Sequence, residues 1–283
     1  MFINLLVLLL VIGLVVLFGW LTVRAVRAKR VWVKIVGGLA AGLMTLLLAG
    51  MAFSGAKGLM GIYSPDVPPA PELTVAGTPE QVARGEYLVN IACAGCHGAT
   101  GPDGAPTGEH PLSGGWNMSK AEGFGFIGDM VTENLTPGGK LAGYSDGELF
   151  RVLRYGVNQE GHTLGMMMFG AGMFGTPLPS SASVTAPPEG VTAEYGKYVA
   201  TFGECRGCHG PDLTGVPATS VSAAIPNPRP LVATMSRDEF VEMMRSGVRP
   251  GNNPFPETMP WQSAAKMTDD DLTALYAYMT AEP

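Results

Sequence analysis

The chain begins with two apolar runs that no charged residue interrupts, at residues 1–23 and 35–56. Each run is long enough to cross about 30 Å of hydrocarbon as an α-helix. The pattern therefore predicts transmembrane spans over about residues 2–23 and 35–56, which together form a hairpin within residues 1–57.

The short loop between the two runs, residues 24–34, contains five Lys or Arg residues and no Asp or Glu. Such loops remain on the cytoplasmic side of a membrane, so the N-terminus and everything after the hairpin are predicted to lie on the opposite side. A cleaved signal peptide is the alternative for residues 1–23. That run lacks a basic leader and no small-residue cleavage site follows it, so a retained anchor is favoured.

After the hairpin the pattern changes to short amphipathic helices separated by segments rich in Pro. Residues 58–77 and 176–190 are predicted linkers, and the domains between and after them are residues 78–175 and 191–283. Capping boxes at Ser145 and Ser236 predict helices that end at Gly156 and Gly247. The serines and the glycines are each 91 residues apart, which indicates an internal repeat of all-α domains.

The two copies differ in length and at their C-terminal ends. A helix with acidic residues in its first turn is predicted over residues 268–279 of the second copy, and the first copy has no equivalent. The first copy also contains about 21 additional residues, which fall between His97 and Ser145 and include residues 134–137. Because the first copy lacks an equivalent of the helix at residues 268–279, we expect the first domain to cover its functional site incompletely without the second domain, the hairpin or another subunit.

A five-residue motif, Cys-x-x-Cys-His, occurs once in each copy, at residues 93–97 and 205–209. It is typical of covalent haem c attachment, in which two thiols add to the porphyrin vinyl groups and the histidine ligates the iron. A zinc site with four thiolates or a redox disulfide would not explain a histidine directly after both pairs. The chain has no other cysteine, so two covalently bound haems c are predicted on Cys93, Cys96, His97, Cys205, Cys208 and His209.

The segment around Met259-Pro260 resembles the loop that supplies the distal thioether in class I cytochromes c. By this resemblance Met259 and His209 are the axial iron ligands of the second site. Met259 follows Gly247 by 12 residues, and the residue 12 positions after Gly156 is Met168, which is the predicted distal ligand of the first site. Met167 and Met173 remain alternatives to it.

Charge distribution limits the class of partner. Residues 1–64 hold six of the 18 Lys and Arg residues and none of the 24 acidic residues. The remainder is therefore strongly acidic, which argues against nucleic acid and suits either basic redox proteins or solubility alone. The other two histidines, His110 and His162, lie in loop-like sequence and are predicted to be solvated rather than iron ligands.

The chain as a whole resembles membrane-anchored dihaem cytochromes c of the class I type. Its Asn-Leu-Thr-Pro segment, residues 134–137, resembles one found in dehydrogenase-associated cytochrome c subunits. The resemblance implies attachment of haem on the outer face of a bacterial cytoplasmic membrane. It also implies single-electron transfer within a quinol-oxidising or dehydrogenase complex, without a catalytic residue. The expected partners are other subunits, a soluble electron carrier or terminal acceptor, and membrane lipid.

Two alternative functions remain at this stage. The dihaem subunit of a cbb-type haem-copper oxidase has a similar size, anchor and haem count. A dihaem peroxidase is an enzyme and needs one haem with an open or displaceable distal position. The sequence motifs do not separate these alternatives from a dehydrogenase subunit.

Overall fold

The computed structural model describes residues 1–123, 125, 129–164, 185–219 and 223–281, and these residues are mostly helical. The helices are α1 (Phe2–Val26), α2 (Gly38–Tyr63, preceded by a π-helical turn at Val33–Gly37), α3 (Pro79–Ala92), α4 (Ala94–His97), α5 (Met118–Ala121), α6 (Asp146–Tyr155), α7 (Ala193–Phe202), α8 (Cys205–His209), α9 (Arg229–Val232), α10 (Arg237–Ser246), α11 (Trp261–Ala264) and α12 (Asp269–Thr280). Two strands, β1 (Val248–Arg249) and β2 (Asn253–Pro254), form an antiparallel hairpin.

The first two helices are long and apolar enough to cross a membrane, by length and composition. They run over Phe2–Val26 and Val33–Tyr63 and contain the predicted spans. Of the 18 consecutive residues that form the most apolar part of each helix, only 11% are buried. Such exposed apolar surface is what a lipid environment covers.

Small residues bring α1 and α2 together. A Cβ atom at Gly38 would lie 3.4 Å from Val26, and one at Gly42 would lie 3.7 Å from Thr22. The hydroxyl groups of Thr22 and Thr45 are 3.4 Å apart across the same interface. Close approach at Gly, with polar contacts between Thr side chains, is typical of helix packing in membranes.

The described residues form two compact units, and the first comprises residues 1–75 and 144–164. Ser145 caps α6 through the predicted capping box, and Gly156 ends it with φ +60°, so both predictions are confirmed. The loop after α6 returns to the end of α2, where the Thr163 N–H donates to the Ile62 carbonyl at 3.0 Å. The His162 ring meets the Tyr63 ring edge-on at a centroid distance of 4.8 Å.

The second unit comprises residues 76–143 and the described part of 182–283, and its core lies around α12. Helix α12 crosses α7 closely because Gly196 has no side chain. A Cβ atom there would overlap the Ala274 carbonyl oxygen and lie 2.8 Å from Cβ of Tyr278. The missing side chain thus lets Tyr278 pack directly against α7. Gly85 begins a Gly-x-Tyr triplet in the first copy as Gly196 does in the second, but a Cβ atom at Gly85 would meet no other atom within 4 Å.

Helix α3, which precedes the first cysteine pair, packs against the second copy. The Tyr87 hydroxyl donates to the buried Asp271 carboxylate and accepts from the Thr268 N–H at 3.1 Å. Arg84 donates to the Tyr195 hydroxyl at 3.0 Å. The compact units thus group α3 with the second copy and α6 with the hairpin, while the division into domains at residues 78–175 and 191–283 stays a prediction.

Candidate haem-binding sites

The two Cys-x-x-Cys-His motifs have the same local structure. Each follows a helix, α3 or α7, and forms a short helical turn, α4 or α8. Because cysteines three positions apart lie on one face of such a turn, the two thiols of each pair point in a similar direction. The first cysteine of each pair, Cys93 or Cys205, is partly buried, whereas the second, Cys96 or Cys208, is exposed.

A backbone carbonyl holds the imidazole of each motif. Nδ1 of His97 lies 2.9 Å from the Glu133 carbonyl oxygen, and Nδ1 of His209 lies 2.9 Å from the Pro226 carbonyl oxygen. A carbonyl can only accept, so the Nδ1–H group donates and Nε2 keeps its lone pair. This is the arrangement in which histidine binds a metal through Nε2.

A glycine in each copy holds the backbone around the histidine in place. The Gly114 and Gly215 N–H groups donate to the carbonyls of His97 and His209, both at 2.9 Å. Gly114 has φ +62°, and a Cβ atom there would lie 2.5 Å from the Glu133 carbonyl oxygen. Sequence reasoning missed these glycines. The sequence feature that could have identified them is a repeated Leu-Ser/Thr-Gly triplet, at residues 112–114 and 213–215.

The Asn-Leu-Thr-Pro segment has a counterpart in the second copy. Asn134 accepts from the Thr136 N–H at 2.8 Å, and Asn227 accepts from the Arg229 N–H at 3.0 Å. Each asparagine directly follows a carbonyl that holds a histidine, so the two turns are equivalent. This corrects the assignment of residues 134–137 to the additional segment. Most of that surplus lies between His97 and Glu133, which are 36 residues apart, against 17 for the equivalent pair.

Met259, the predicted distal ligand of the second site, is partly buried and packs against the core. Its N–H donates to the Pro256 carbonyl at 2.9 Å, and its carbonyl accepts from the Trp261 N–H at 2.8 Å. The Trp261 ring covers Gly247, which ends α10 with φ +70°. The spacing between the helix end and the methionine is therefore held by a packed contact.

The remaining candidates divide into described and undescribed residues. Met168, with its alternatives Met167 and Met173, lies outside the described residues. His110 is in a loop and its Nε2 lies 3.0 Å from the Asn90 side-chain oxygen, while His162 contacts Tyr63. Both histidines are in irregular backbone, as predicted.

The two motifs lie close together in the second unit. Burial raises the pKa of the Cys93 and Cys96 thiols, and the Glu204 charge raises both further. Burial also raises the pKa of Cys205 to about 11, with a smaller effect of the same Glu204. One carboxylate thus acts on both motifs. Thiols with a raised pKa stay protonated at neutral pH, which does not suit a redox disulfide that works through a thiolate.

A second contact joins the first motif to the segment that follows Met259, the predicted distal ligand of the second site. A Cβ atom at Gly95, in the middle of the first motif, would lie 3.5 Å from the Ser263 hydroxyl oxygen on α11. That helix begins two residues after Met259. The turn that carries the first cysteine pair therefore packs next to the loop that carries Met259.

Comparison with known protein families decides the class of the second copy. Residues 193–281 match the family model for cytochrome c. This part of the chain is a cytochrome c domain. Such a domain binds haem c covalently, which agrees with its Cys-x-x-Cys-His turn and the carbonyl-held His209. The first motif, at residues 93–97, lies outside the match.

Curated relatives point in the same direction. The chain is 29% identical over 121 residues to an alcohol dehydrogenase (quinone) cytochrome c subunit of Gluconacetobacter polyoxogenes, a stretch that covers 39% of this chain and 26% of the relative. It is 31% identical over 94 residues to a gluconate 2-dehydrogenase cytochrome c subunit of Pantoea cypripedii, covering 29% and 21%. A nicotinate dehydrogenase subunit of Pseudomonas putida is 30% identical over 138 residues, covering 41% and 11%. The chain thus spans about a quarter or less of the length of these relatives. It is similar to cytochrome c subunits of two dehydrogenases and to a subunit of a third.

Proposed function

We propose that the chain carries two haems c and passes single electrons between a dehydrogenase and an acceptor on the outer face of a bacterial cytoplasmic membrane. Each Cys-x-x-Cys pair would form the thioether bonds of one haem. The proposed thioether residues are Cys93, Cys96, Cys205 and Cys208, and the proposed axial ligands are His97, Met168, His209 and Met259.

The observation that carries the proposal is the equivalence of the two histidine settings. In each, a carbonyl accepts from Nδ1–H, a glycine N–H secures the histidine backbone, and an asparagine turn follows the carbonyl. The second setting belongs to a cytochrome c domain, and the first repeats it outside that domain. A bound haem supplies an iron that cycles between the ferrous and ferric states.

The chain's own residues would set how readily that iron is reduced. The carbonyl bond makes the histidine a more basic ligand and fixes its orientation. A thioether on the opposite side stabilises ferrous iron and raises the potential, which suits an electron carrier. It also occupies the sixth position, so the proposal requires no bond-making chemistry at either site.

Proximity of the two motifs supports transfer within one chain. Glu204 acts on the thiols of both motifs, and the first motif packs near the loop of Met259. Helix α3 is fixed to the second copy by Tyr87 and Arg84, so the spacing of the motifs would be constant. Fixed spacing removes the reorganisation that a flexible tether would add to each transfer.

The basic loop at residues 24–34 supports an orientation with both haem sites on the outer side of the membrane. Two of the named relatives are cytochrome c subunits of dehydrogenases and the third is a dehydrogenase subunit, which favours a dehydrogenase over an oxidase as the host complex. The proposed partners are the other subunits of that complex, a soluble electron carrier and membrane lipid.

The experiment that tests this function is purification of the native protein in a mild detergent, with identification of every protein that accompanies it. We expect a dehydrogenase catalytic subunit in stoichiometric amount, and reduction of the haem bands when its substrate is added. Visible spectra of the reduced complex with and without carbon monoxide provide the control for a peroxidase. Full binding of carbon monoxide at one haem, with turnover of peroxide, would contradict an electron carrier.

A further inference from the structure

A shallow cavity of about 830 Å³, open to the surface, lies at the closed end of the hairpin, where α1 turns into the second helix. The end of α1 supplies Trp20 and Arg24 to its lining, the turn supplies Arg27 and Lys29, and the second helix supplies Val33. The cavity is thus formed by both helices and the loop that joins them. It is remote in sequence from every residue of the proposed haem sites.

The charge at this end of the hairpin is uncompensated. Five cations lie between residues 24 and 34, and the first acidic residue of the chain is Asp66. Among the residues that the structure describes, none of the five forms an ion pair. Cations close to a membrane surface attract the anionic headgroups of lipids, by about 1 kcal/mol for each Lys or Arg.

The cavity lining contains both cationic and apolar side chains, which suits an amphiphile rather than a soluble anion. The Arg24 guanidinium carbon lies over the Trp20 ring, 5.1 Å from the ring centroid. Trp side chains favour the depth of lipid headgroups in a membrane. Leu21 and Val33 line the same cavity and are apolar. The second helix also begins here, and the first N–H groups of a long helix favour a negative group.

We propose that this cavity binds the headgroup of an anionic phospholipid, whose phosphate accepts hydrogen bonds from Arg24, Arg27 and Lys29 while its acyl chains follow the apolar side of the hairpin. The inference rests on the part of the proposed function that embeds α1 and α2 in a membrane. It does not depend on haem or on the direction of electron transfer. Net negative charge is required of the lipid, because a zwitterionic headgroup would bring its own cation to a basic site.

The test uses the full-length protein, purified in detergent and delipidated, with binding of phosphatidylglycerol and phosphatidylcholine measured by native mass spectrometry. The cavity variant is Arg24→Gln with Arg27→Gln. The matched control is Arg30→Gln with Lys34→Gln, which removes the same charge from the same loop outside the cavity lining. Each cation near an anionic headgroup contributes about 1 kcal/mol, so the cavity variant should bind phosphatidylglycerol about 30-fold more weakly.

We expect the control variant to lose less than about 3-fold, and millimolar inorganic phosphate not to displace the lipid. Equal losses in the two variants would show diffuse charge attraction and overturn the site. Displacement by inorganic phosphate, or equal binding of phosphatidylcholine, would overturn the choice of an anionic lipid. Arg27→Gln alone, with about a 5-fold loss expected, serves if the double variant does not insert.

Failure of the anchor is distinguishable from failure of this site. A protein that leaves membranes in alkaline carbonate without detergent would contradict the anchor itself. A protein that stays in the membrane but shows no preference for phosphatidylglycerol would contradict only the lipid site.

Discussion

The Glu133 carbonyl oxygen lies 2.9 Å from Nδ1 of His97, although 36 residues separate them in sequence. The second copy reaches the same 2.9 Å contact over 17 residues, between Pro226 and His209. Chain segments of different length thus arrive at one geometry. In both, Nε2 is left as the nitrogen able to bind iron.

Replacing Gly114 with Ala should disturb the first histidine. The new Cβ atom would press on the Glu133 carbonyl and on the neighbouring Thr132 carbonyl in a backbone with φ +62°, so we expect a loss of about 2 kcal/mol in unfolding free energy and lower haem occupancy at the first site. Gly104→Ala is the control, because Gly104 also has positive φ, at +80°, but no atom lies within 4 Å of its Cβ position. Equal effects of the two variants would contradict a role for the carbonyl.

Replacing Gly196 with Ala should weaken the second domain. Its Cβ atom would overlap the Ala274 carbonyl on α12, so we expect a loss of about 2–3 kcal/mol in chemical denaturation. The equivalent change Gly85→Ala adds a methyl group to open space on a helix and should be neutral or stabilising by up to about 1 kcal/mol. Equal destabilisation by both changes would refute the asymmetry between the two copies.

The raised pKa of Tyr87 predicts a loss of stability at high pH. Burial, together with its hydrogen bond to Asp271, raises the pKa of Tyr87 to about 12. Because the folded state holds this proton more tightly, the stabilisation is complete below pH 10 and is lost as the pH rises towards 12. Denaturation of Tyr87→Phe should show about 1 kcal/mol less stability at pH 8, and a smaller fall between pH 10 and 12 than the unmodified protein shows.

The control for that prediction is Tyr198→Phe, on the neighbouring helix α7. Its stability should fall between pH 10 and 12 as steeply as that of the unmodified protein. If Tyr87→Phe fell just as steeply, the high-pH loss would come from other groups.

Removal of the Glu204 charge should change the redox potentials of both haems together. Its negative charge acts on both motifs, so it should favour the ferric state at both sites. Redox titration of Glu204→Gln should show both potentials raised by tens of millivolts, on the order of 30 mV. Glu194→Gln, in the first turn of α7, is the matched control and should shift them less. A rise at only one site would contradict the shared position of this carboxylate.

Local signals in the sequence were enough to predict the helix boundaries. The capping boxes at Ser145 and Ser236 and the terminal glycines Gly156 and Gly247 all occur as predicted. These motifs act through hydrogen bonds within four residues, so the sequence contains both partners.

Contacts between residues that lie far apart in the sequence were not predictable. The carbonyls of Glu133 and Pro226 carry no side-chain signature, and the residues that bear them differ completely in chemistry. The packing of α3 against the second copy, through Tyr87 and Asp271, joins residues 184 positions apart. Alignment of the copies by helix spacing alone therefore missed the equivalence of Asn134 and Asn227.

The most direct test of the central claim is the haem content per chain of the full-length protein, measured as the pyridine haemochrome after removal of non-covalent haem. We predict two covalently bound haems, one remaining in Cys93→Ala with Cys96→Ala, and one remaining in Cys205→Ala with Cys208→Ala. A single haem in the unmodified protein, unaffected by the Cys93 and Cys96 substitutions, would contradict the claim that both copies carry an iron.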